Sequence, residues 1–216
     1  MPARVRPRLR ADARRNHTAV VAAAMQVLAA DPDATMREIA DASGLTRTTV
    51  YRHFPSRDEL LRAIFLQVEA EADELTREAT AGDPAFAVVM RAVAHGSIAL
   101  GQRYRFLAGH DAMADAVHAE TAPALADDPM IRYLARAARR GEIRGDLPPS
   151  WQARMLRSLA ITAIEEVLSG NVSPEDGELL LTTSLIGAFA PLQPEAAVDA
   201  APGPAPAPAR QQPPRR

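Results

Sequence analysis

Residues 35–62 constrain the fold of this chain more than any other segment. Thr35 and Glu38 have the spacing of a capping box, which predicts that a helix begins there. Gly44 suits the left-handed conformation just past the end of that helix. Thr46 suits the cap of a second short helix. Two short helices joined by a tight glycine turn predict a helix-turn-helix unit.

The second short helix of this unit carries hydrogen-bond donors around its inward anchor, Val50. Arginine binds guanine bidentately, a threonine methyl group contacts the thymine methyl group, and hydroxyl groups bind phosphate. A polar, solvated surface helix is the alternative, but the turn, the caps and the donors coincide. Because the second helix of such a unit lies in the major groove, we predict that DNA is contacted by Thr35, Thr46, Arg47, Thr48, Thr49, Tyr51, Arg52 and His53.

The run Thr-Val-Tyr-Arg-His-Phe, followed by Pro-Ser-Arg-Asp-Glu-Leu-Leu, resembles the amino-terminal domain of the TetR family of bacterial transcriptional regulators. The resemblance covers about residues 13–65. Tyr51 and His53 occupy positions of the family's Tyr-x-His/Tyr-Phe pattern, whereas Arg57 replaces the usual lysine and keeps its positive charge. The resemblance implies an all-helical dimer, operator binding through residues 46–53, and a separate ligand-binding domain.

Helical periodicity continues along the chain, and no stretch shows sustained strand alternation. We therefore predict an all-α protein with an amino-terminal three-helix helix-turn-helix domain and a helical ligand-binding and dimerisation domain. Glycines at 96, 101 and 109 predict a bend within a helix over 85–107, and Ser150 is predicted to cap a later helix. The predicted boundaries are a disordered basic arm at 1–11, the DNA-binding domain at 12–58, the second domain at 59–190 and a disordered Pro/Ala-rich tail at 191–216.

Charge is distributed unevenly between the two predicted domains. Residues 1–62 carry 11 Arg and 7 acidic residues, whereas residues 63–190 carry 11 Arg and 18 acidic residues. A basic front on an acidic body fits one module that binds phosphate and another that does not. The chain has no cysteine, no apolar run near the ~20 residues of a membrane span, and no apolar signal segment at its start. We therefore expect a cytoplasmic protein without membrane contact.

The sequence contains no recognisable catalytic motif. It lacks a Gly-rich phosphate loop, a Gly-x-Ser-x-Gly elbow and a His-Glu-x-x-His pair. Asp111, Asp115 and His118 share a helical face that could bind a divalent metal, but a solvated polar face is the interpretation we favour. We expect no enzymatic activity, no metal and no cofactor.

Two features of the second domain predict partners. The last helix has an apolar surface broader than one stripe, which predicts a homodimer through residues 151–189 with Leu185 in the interface. Glu165 and Glu166 interrupt an apolar helix, so one of the two carboxylates is expected to face the core or a partner helix, where it needs a cation or hydrogen bonds. That cation is a bound effector or an arginine of a second copy, with Arg154 and Arg157 as candidates.

The large adaptable side chains of the second domain predict a pocket for a small, largely apolar effector. The same side chains also suit a packed core. The leading hypothesis is a repressor that binds a near-palindromic operator in double-stranded DNA and is released by that effector. An effector-independent DNA-binding protein and an enzyme with an accessory DNA-binding domain are the alternatives. The predicted pocket residues are Phe65, Met90, His95, Tyr104, Phe106 and Met113.

Overall fold

The computed structural model of the protein describes residues 5–124 and 126–191, and every regular element within those ranges is helical. This finding confirms the predicted all-α class. None of these helices is long and apolar enough to cross a membrane. In chain order they are α1 (Val5–Ala30), α2 (Met36–Ser43), α3 (Arg47–His53), α4 (Arg57–Thr80), α5 (Phe86–Arg103), a 3₁₀ turn (Arg105–Leu107), α6 (Asp111–Thr121), α7 (Pro129–Arg139), α8 (Pro149–Leu168) and α9 (Pro174–Phe189).

The boundaries of α2 and α3 follow from local hydrogen bonds. The Glu38 backbone N–H donates to the Thr35 hydroxyl at 3.3 Å, and the Thr35 backbone N–H donates to the Glu38 carboxylate at 2.7 Å. Gly44 ends α2 with φ of 68°, where a side chain would be strained. The Thr49 backbone N–H donates to the Thr46 hydroxyl at the start of α3. The predicted capping box, turn and second cap are therefore confirmed.

α4 connects two hydrophobic cores. The first core lies among α1, α2, α3 and the first half of α4, and it extends to the 3₁₀ turn and α6. The second core lies among α5, α7, α8 and α9. Leu60 and Ile64 belong to the first core, whereas Ala79 packs against the second. The 24 residues of α4 span about 36 Å at 1.5 Å per residue, so one helix joins the DNA-binding domain to the body.

Glycines in α5 permit close packing of helices rather than a bend within the helix. A Cβ on Gly101 would lie 2.6 Å from Cγ2 of Ile164 in α8, and a Cβ on Gly96 would overlap Leu75 in α4. α5 therefore approaches both neighbours closely along its continuous length. The predicted helix over 85–107 ends at Arg103 and gives way to the 3₁₀ turn.

The predicted disordered arm at 1–11 is wrong for the part that the structure describes, because α1 begins at Val5 rather than at residue 12. Pro7 is compatible with this start, since backbone N–H groups in the first turn have no acceptor within the helix. Residues 1–4 and almost all of the predicted tail at 191–216 lie outside the described residues.

α8 begins without the predicted serine cap. Pro148 precedes the helix, Pro149 occupies its first turn, and no side chain accepts a hydrogen bond there. The Trp151 backbone N–H instead donates to the Pro148 carbonyl at 2.9 Å. The fixed φ of proline favours this start, so Ser150 is not the cap.

α9 buries one stripe against its own chain and exposes the opposite side. Gly177, Leu181, Leu185 and Phe189, each four residues apart, are buried. The prediction that Leu185 lies in an intermolecular surface is therefore wrong. Apolar residues are spread around α9 rather than confined to one side, so its sequence did not define the inward face. The large apolar side chains left exposed on α8 and α9 are Trp151, Ile161, Leu179, Leu180 and Ile186.

Candidate nucleic-acid interface

α3 is held by two buried side chains that leave the rest of the helix outside. Val50 is completely buried and Phe54, just after the helix, is almost so. Leu45 is half-buried in the turn and packs against the same core. With this side of α3 fixed inward, a helical periodicity of 3.6 residues turns the flanking positions toward solvent.

Most of the predicted DNA-contacting residues lie on that outer surface. Tyr51 is 45% exposed although it is a large aromatic residue. The exposed Tyr51 presents its hydroxyl group to solvent among arginine and threonine side chains. A hydroxyl group in this position suits contact with a DNA phosphate. Six of the eight predicted residues are exposed: Thr35, Thr46, Arg47, Thr48, Tyr51 and Arg52.

Arg47 is available to a partner. Its guanidinium lies 3.6 Å from Asp41, which is also 3.9 Å from Arg37, and all three side chains are at least half exposed. Exposed ion pairs of this kind contribute about 0–1 kcal/mol. A guanine base or a phosphate can therefore replace Asp41 as the partner of Arg47 at little cost.

Thr49 and His53 differ from the other predicted residues because both are half-buried. The Thr49 hydroxyl lies 2.9 Å from the Thr46 hydroxyl, so it takes part in the cap of α3. The His53 ring lies 6.4 Å from the His17 ring in an edge-to-face arrangement, and its Nε2 is buried without a hydrogen-bond partner. His53 thus packs against α1 and does not share the outer face.

We expect His53 to make the domain less stable in acid. Burial of the ring, with the positive charges of Arg52 and His17, lowers the pKa of His53 in the folded chain. Above about pH 6.5 the ring is neutral in both states, and as the pH falls below that value the unfolded chain binds a proton more readily. Acid therefore favours unfolding at this position. In thermal unfolding at pH 7.5 and 5.5, His53→Gln should lose less melting temperature than the unmodified protein.

The exposed His95 supplies the control for this pH dependence. His95→Gln should retain the full loss of melting temperature between the two pH values. An equal loss in the His53 variant and in the unmodified protein would show that the buried ring does not cause it.

Arg57 has a role that the sequence did not reveal. Its guanidinium donates hydrogen bonds to the backbone carbonyls of Ala34 and Pro32, in the loop between α1 and α2. The first turn of α4 is thereby tied to the loop that leads into the helix-turn-helix. The planar guanidinium group can donate two directed hydrogen bonds at once. The role of Arg57 therefore depends on its hydrogen-bond geometry as well as on its positive charge.

The six residues predicted to bind an effector are divided between the two cores and the surface. Met90 is buried in the second core, and the exposed His95 lies 2.9 Å from Glu178. A shallow depression of about 390 Å³ lies elsewhere, between α1 and the start of α2. The four remaining residues belong to the first core or pack against it: Phe65, Tyr104, Phe106 and Met113.

A polar cluster on the inner side of α4 was not predicted. Glu69 lies 3.0 Å from Nδ1 of His118 in α6 and 3.6 Å from Arg157 in α8. Asp73, one turn later, has an exposed side chain, but desolvation by its surroundings and the negative charge of Glu69 still raise its pKa. Carboxylates placed where three helices meet can bind a cation. The sequence feature that could have indicated this cluster is the pair of acidic residues at positions 69 and 73, which are one helical turn apart.

A second carboxylate of α4 binds a buried tyrosine. The Tyr104 hydroxyl donates to Glu71 at 2.7 Å, and Arg103 lies 2.8 Å from the same carboxylate. Burial and the hydrogen bond to Glu71 raise the pKa of Tyr104 to about 12. The link ties the end of α5 to α4, the helix that enters the DNA-binding domain.

The three residues considered as possible metal ligands, for which we favoured a solvated polar face, do not converge. His118 is within hydrogen-bond distance of Glu69, whereas Asp111 and Asp115 are exposed. Within residues 5–124 and 126–191, no three histidine, aspartate or glutamate side chains are grouped to hold a metal ion.

Comparison with known proteins identifies the domain that contains this interface. The family model "Bacterial regulatory proteins, tetR family" matches residues 20–64, which contain α2, α3 and the start of α4. The HTH-type transcriptional repressor LfrR of Mycolicibacterium smegmatis is 26% identical over 173 residues, which cover 80% of this chain and 90% of LfrR. The resemblance inferred from the sequence is confirmed.

Solved structures share the fold beyond this domain. The TetR-like regulator LfrR from Mycobacterium smegmatis, in complex with proflavine, has a TM-score of 0.61 and 25% identity, with 83% of this chain and 99% of that chain covered. The fatty acid degradation regulator FadR from Bacillus halodurans has a TM-score of 0.62 and 13% identity, with 80% and 95% covered. The second likeness supports the fold alone.

Proposed function

We propose that this chain, which belongs to the TetR family of bacterial transcriptional regulators, is a repressor that binds a near-palindromic operator as a homodimer and is released by a small molecule. The observation that carries the proposal is the outer surface of α3, where arginine, threonine and tyrosine side chains are exposed around a buried anchor. Such a helix presents base-reading and phosphate-binding groups together. A soluble regulator of this kind acts in the cytoplasm, where its operator lies.

The effector is proposed to bind in the body, beside the polar cluster of α4. LfrR, of similar fold and 25% identity, has been crystallised with proflavine. In this chain Glu69 and Asp73 would offset the positive charge of an aromatic cation, and the nearby Phe65 and Met113 supply apolar surface. This is a smaller and more polar set than the six residues expected from the sequence.

The proposed switch uses α4. A ligand changes operator affinity only if it binds the DNA-competent and DNA-incompetent conformations differently. α4 contacts the body through Glu69 and Glu71 and the DNA-binding domain through Arg57. Its displacement would alter the spacing of the two α3 helices in a dimer. A coupling of about 1–3 kcal/mol reduces operator affinity about 5- to 150-fold.

The test is operator binding with and without proflavine. We expect a protected region with dyad symmetry, with half-site centres about one helical turn apart or slightly more. Proflavine should weaken the complex, and Glu69→Gln should reduce that response while operator affinity without ligand is retained. Glu78→Gln, on the same helix, is the matched control.

Two outcomes would contradict parts of the proposal. A footprint without dyad symmetry would exclude the dimeric repressor. An operator affinity that no aromatic cation alters, despite a raised melting temperature, would favour an effector-independent DNA-binding protein.

A further inference from the structure

The outer face of α8 combines apolar, small and charged side chains in one stripe. Each member has another member three or four residues away, which places them on one side of the helix. α9, which packs on α8, also exposes Leu179, Leu180 and Ile186. Several exposed large apolar side chains on two packed helices favour cover by another surface. The stripe consists of Trp151, Arg154, Ser158, Ile161, Thr162 and Glu165, all of them exposed.

The two charges of this stripe cannot neutralise each other within one chain. Arg154 and Glu165 are 11 positions apart, which is about 16 Å along the helix. Neither makes an ion pair with any residue in the part of the chain that the structure describes. Arg157 lies on the neighbouring face and is 3.6 Å from Glu69. Of the two arginines of α8, Arg154 is therefore the one available to bind Glu165 of another molecule.

We propose that two copies of α8 meet antiparallel across a two-fold axis, so that Arg154 binds Glu165 of the partner subunit and Glu165 binds Arg154 of the partner subunit. When the axis passes midway between positions 159 and 160, residue 154 lies opposite residue 165 of the second copy. The same register places Ser158 opposite Ile161 of the partner subunit. The small serine leaves room for the isoleucine at the centre of the contact.

Charge decides between the two possible orientations of the helices. A parallel pair would place Arg154 opposite the partner's Arg154 and Glu165 opposite the partner's Glu165. Like charges opposite each other in an interface are strongly unfavourable, whereas complementary charges fix the register. The antiparallel pair contains two equivalent attractive contacts, as two-fold symmetry requires. This inference rests on the proposed homodimer and adds its orientation and the residues that select the partner.

Charge exchange tests the inference directly. Arg154→Glu and Glu165→Arg should each weaken the dimer about tenfold or more, because each creates two like-charge contacts. The double variant R154E/E165R should restore the affinity to within about threefold of the unmodified protein. An equimolar mixture of the two single variants should form heterodimers in preference to either homodimer. Sedimentation velocity gives the affinities, and a tag on one variant identifies the heterodimer.

The controls separate this inference from the dimer itself. Arg132→Glu in α7 and Glu78→Arg in α4 make the same charge changes at exposed positions outside the stripe, and both should leave the dimer unchanged. A monomeric unmodified protein would overturn the proposed dimer. A dimer that tolerates the single variants, or that the double variant fails to restore, would overturn the antiparallel register alone. Circular dichroism shows whether each variant is folded.

Discussion

Replacing Ile161 with arginine should convert the proposed dimer into folded monomers that no longer bind the operator tightly. Ile161 is 38% exposed in the single chain, so an arginine at this position can reach solvent in the monomer. In the dimer the same charge would be buried without a partner, which costs about 3–5 kcal/mol. Two-fold symmetry places two such charges in one interface. The effect on dimerisation should therefore be among the largest of any single surface substitution.

Sedimentation velocity and operator titration measure the two consequences of Ile161→Arg. Val88→Arg in α5 is the matched control, because Val88 is an exposed apolar residue outside α8 and α9. It should leave both dimer and operator binding intact. Leu185→Arg should instead unfold the chain, since Leu185 is completely buried in the second core. A dimeric Ile161→Arg protein would place the interface elsewhere.

The sequence predicted best where the structure depends on neighbouring residues. Thr35 and Thr46 cap their helices by accepting a hydrogen bond from the backbone N–H three positions ahead. The predicted start and end of α2 and the predicted start of α3 are confirmed, because caps and a positive-φ glycine coincide there. Where several local signals agree, the structure of a segment can be predicted without knowledge of its tertiary contacts.

The sequence predicted poorly where a distant residue decides the environment. Gly96 and Gly101 look like weak points of a helix, but Leu75 and Ile164 pack against them from other helices. Leu185 and Ile186 are adjacent and equally apolar, and packing alone determines which one is buried. The proposed effector site has the same difficulty. Phe65 and Met90 are both large, buried apolar side chains, but Phe65 lies in the first core and Met90 in the second. The sequence does not show this difference.

Arg47→Ala should weaken operator binding without lowering stability. Arg47 is exposed, and its one ion pair with Asp41 is long at 3.6 Å, so its removal costs the folded chain little. If Arg47 binds a base edge, each lost contact costs about 1–3 kcal/mol and relaxes specificity at that position. A dimer loses the contact in both half-sites, so the total loss is about twice that of one contact.

Comparison of operator with unrelated DNA separates base recognition from phosphate binding. Arg47→Ala should narrow the affinity difference between the two DNAs, whereas loss of a phosphate contact weakens both alike and reduces the salt dependence. Tyr51→Phe removes the exposed hydroxyl and keeps the ring, so it should act on both DNAs if the hydroxyl binds phosphate. Arg77→Ala in α4 removes the same charge far from α3 and should alter neither affinity. Unchanged operator binding in both the Arg47 and Tyr51 variants would show that the outer face of α3 does not read the operator.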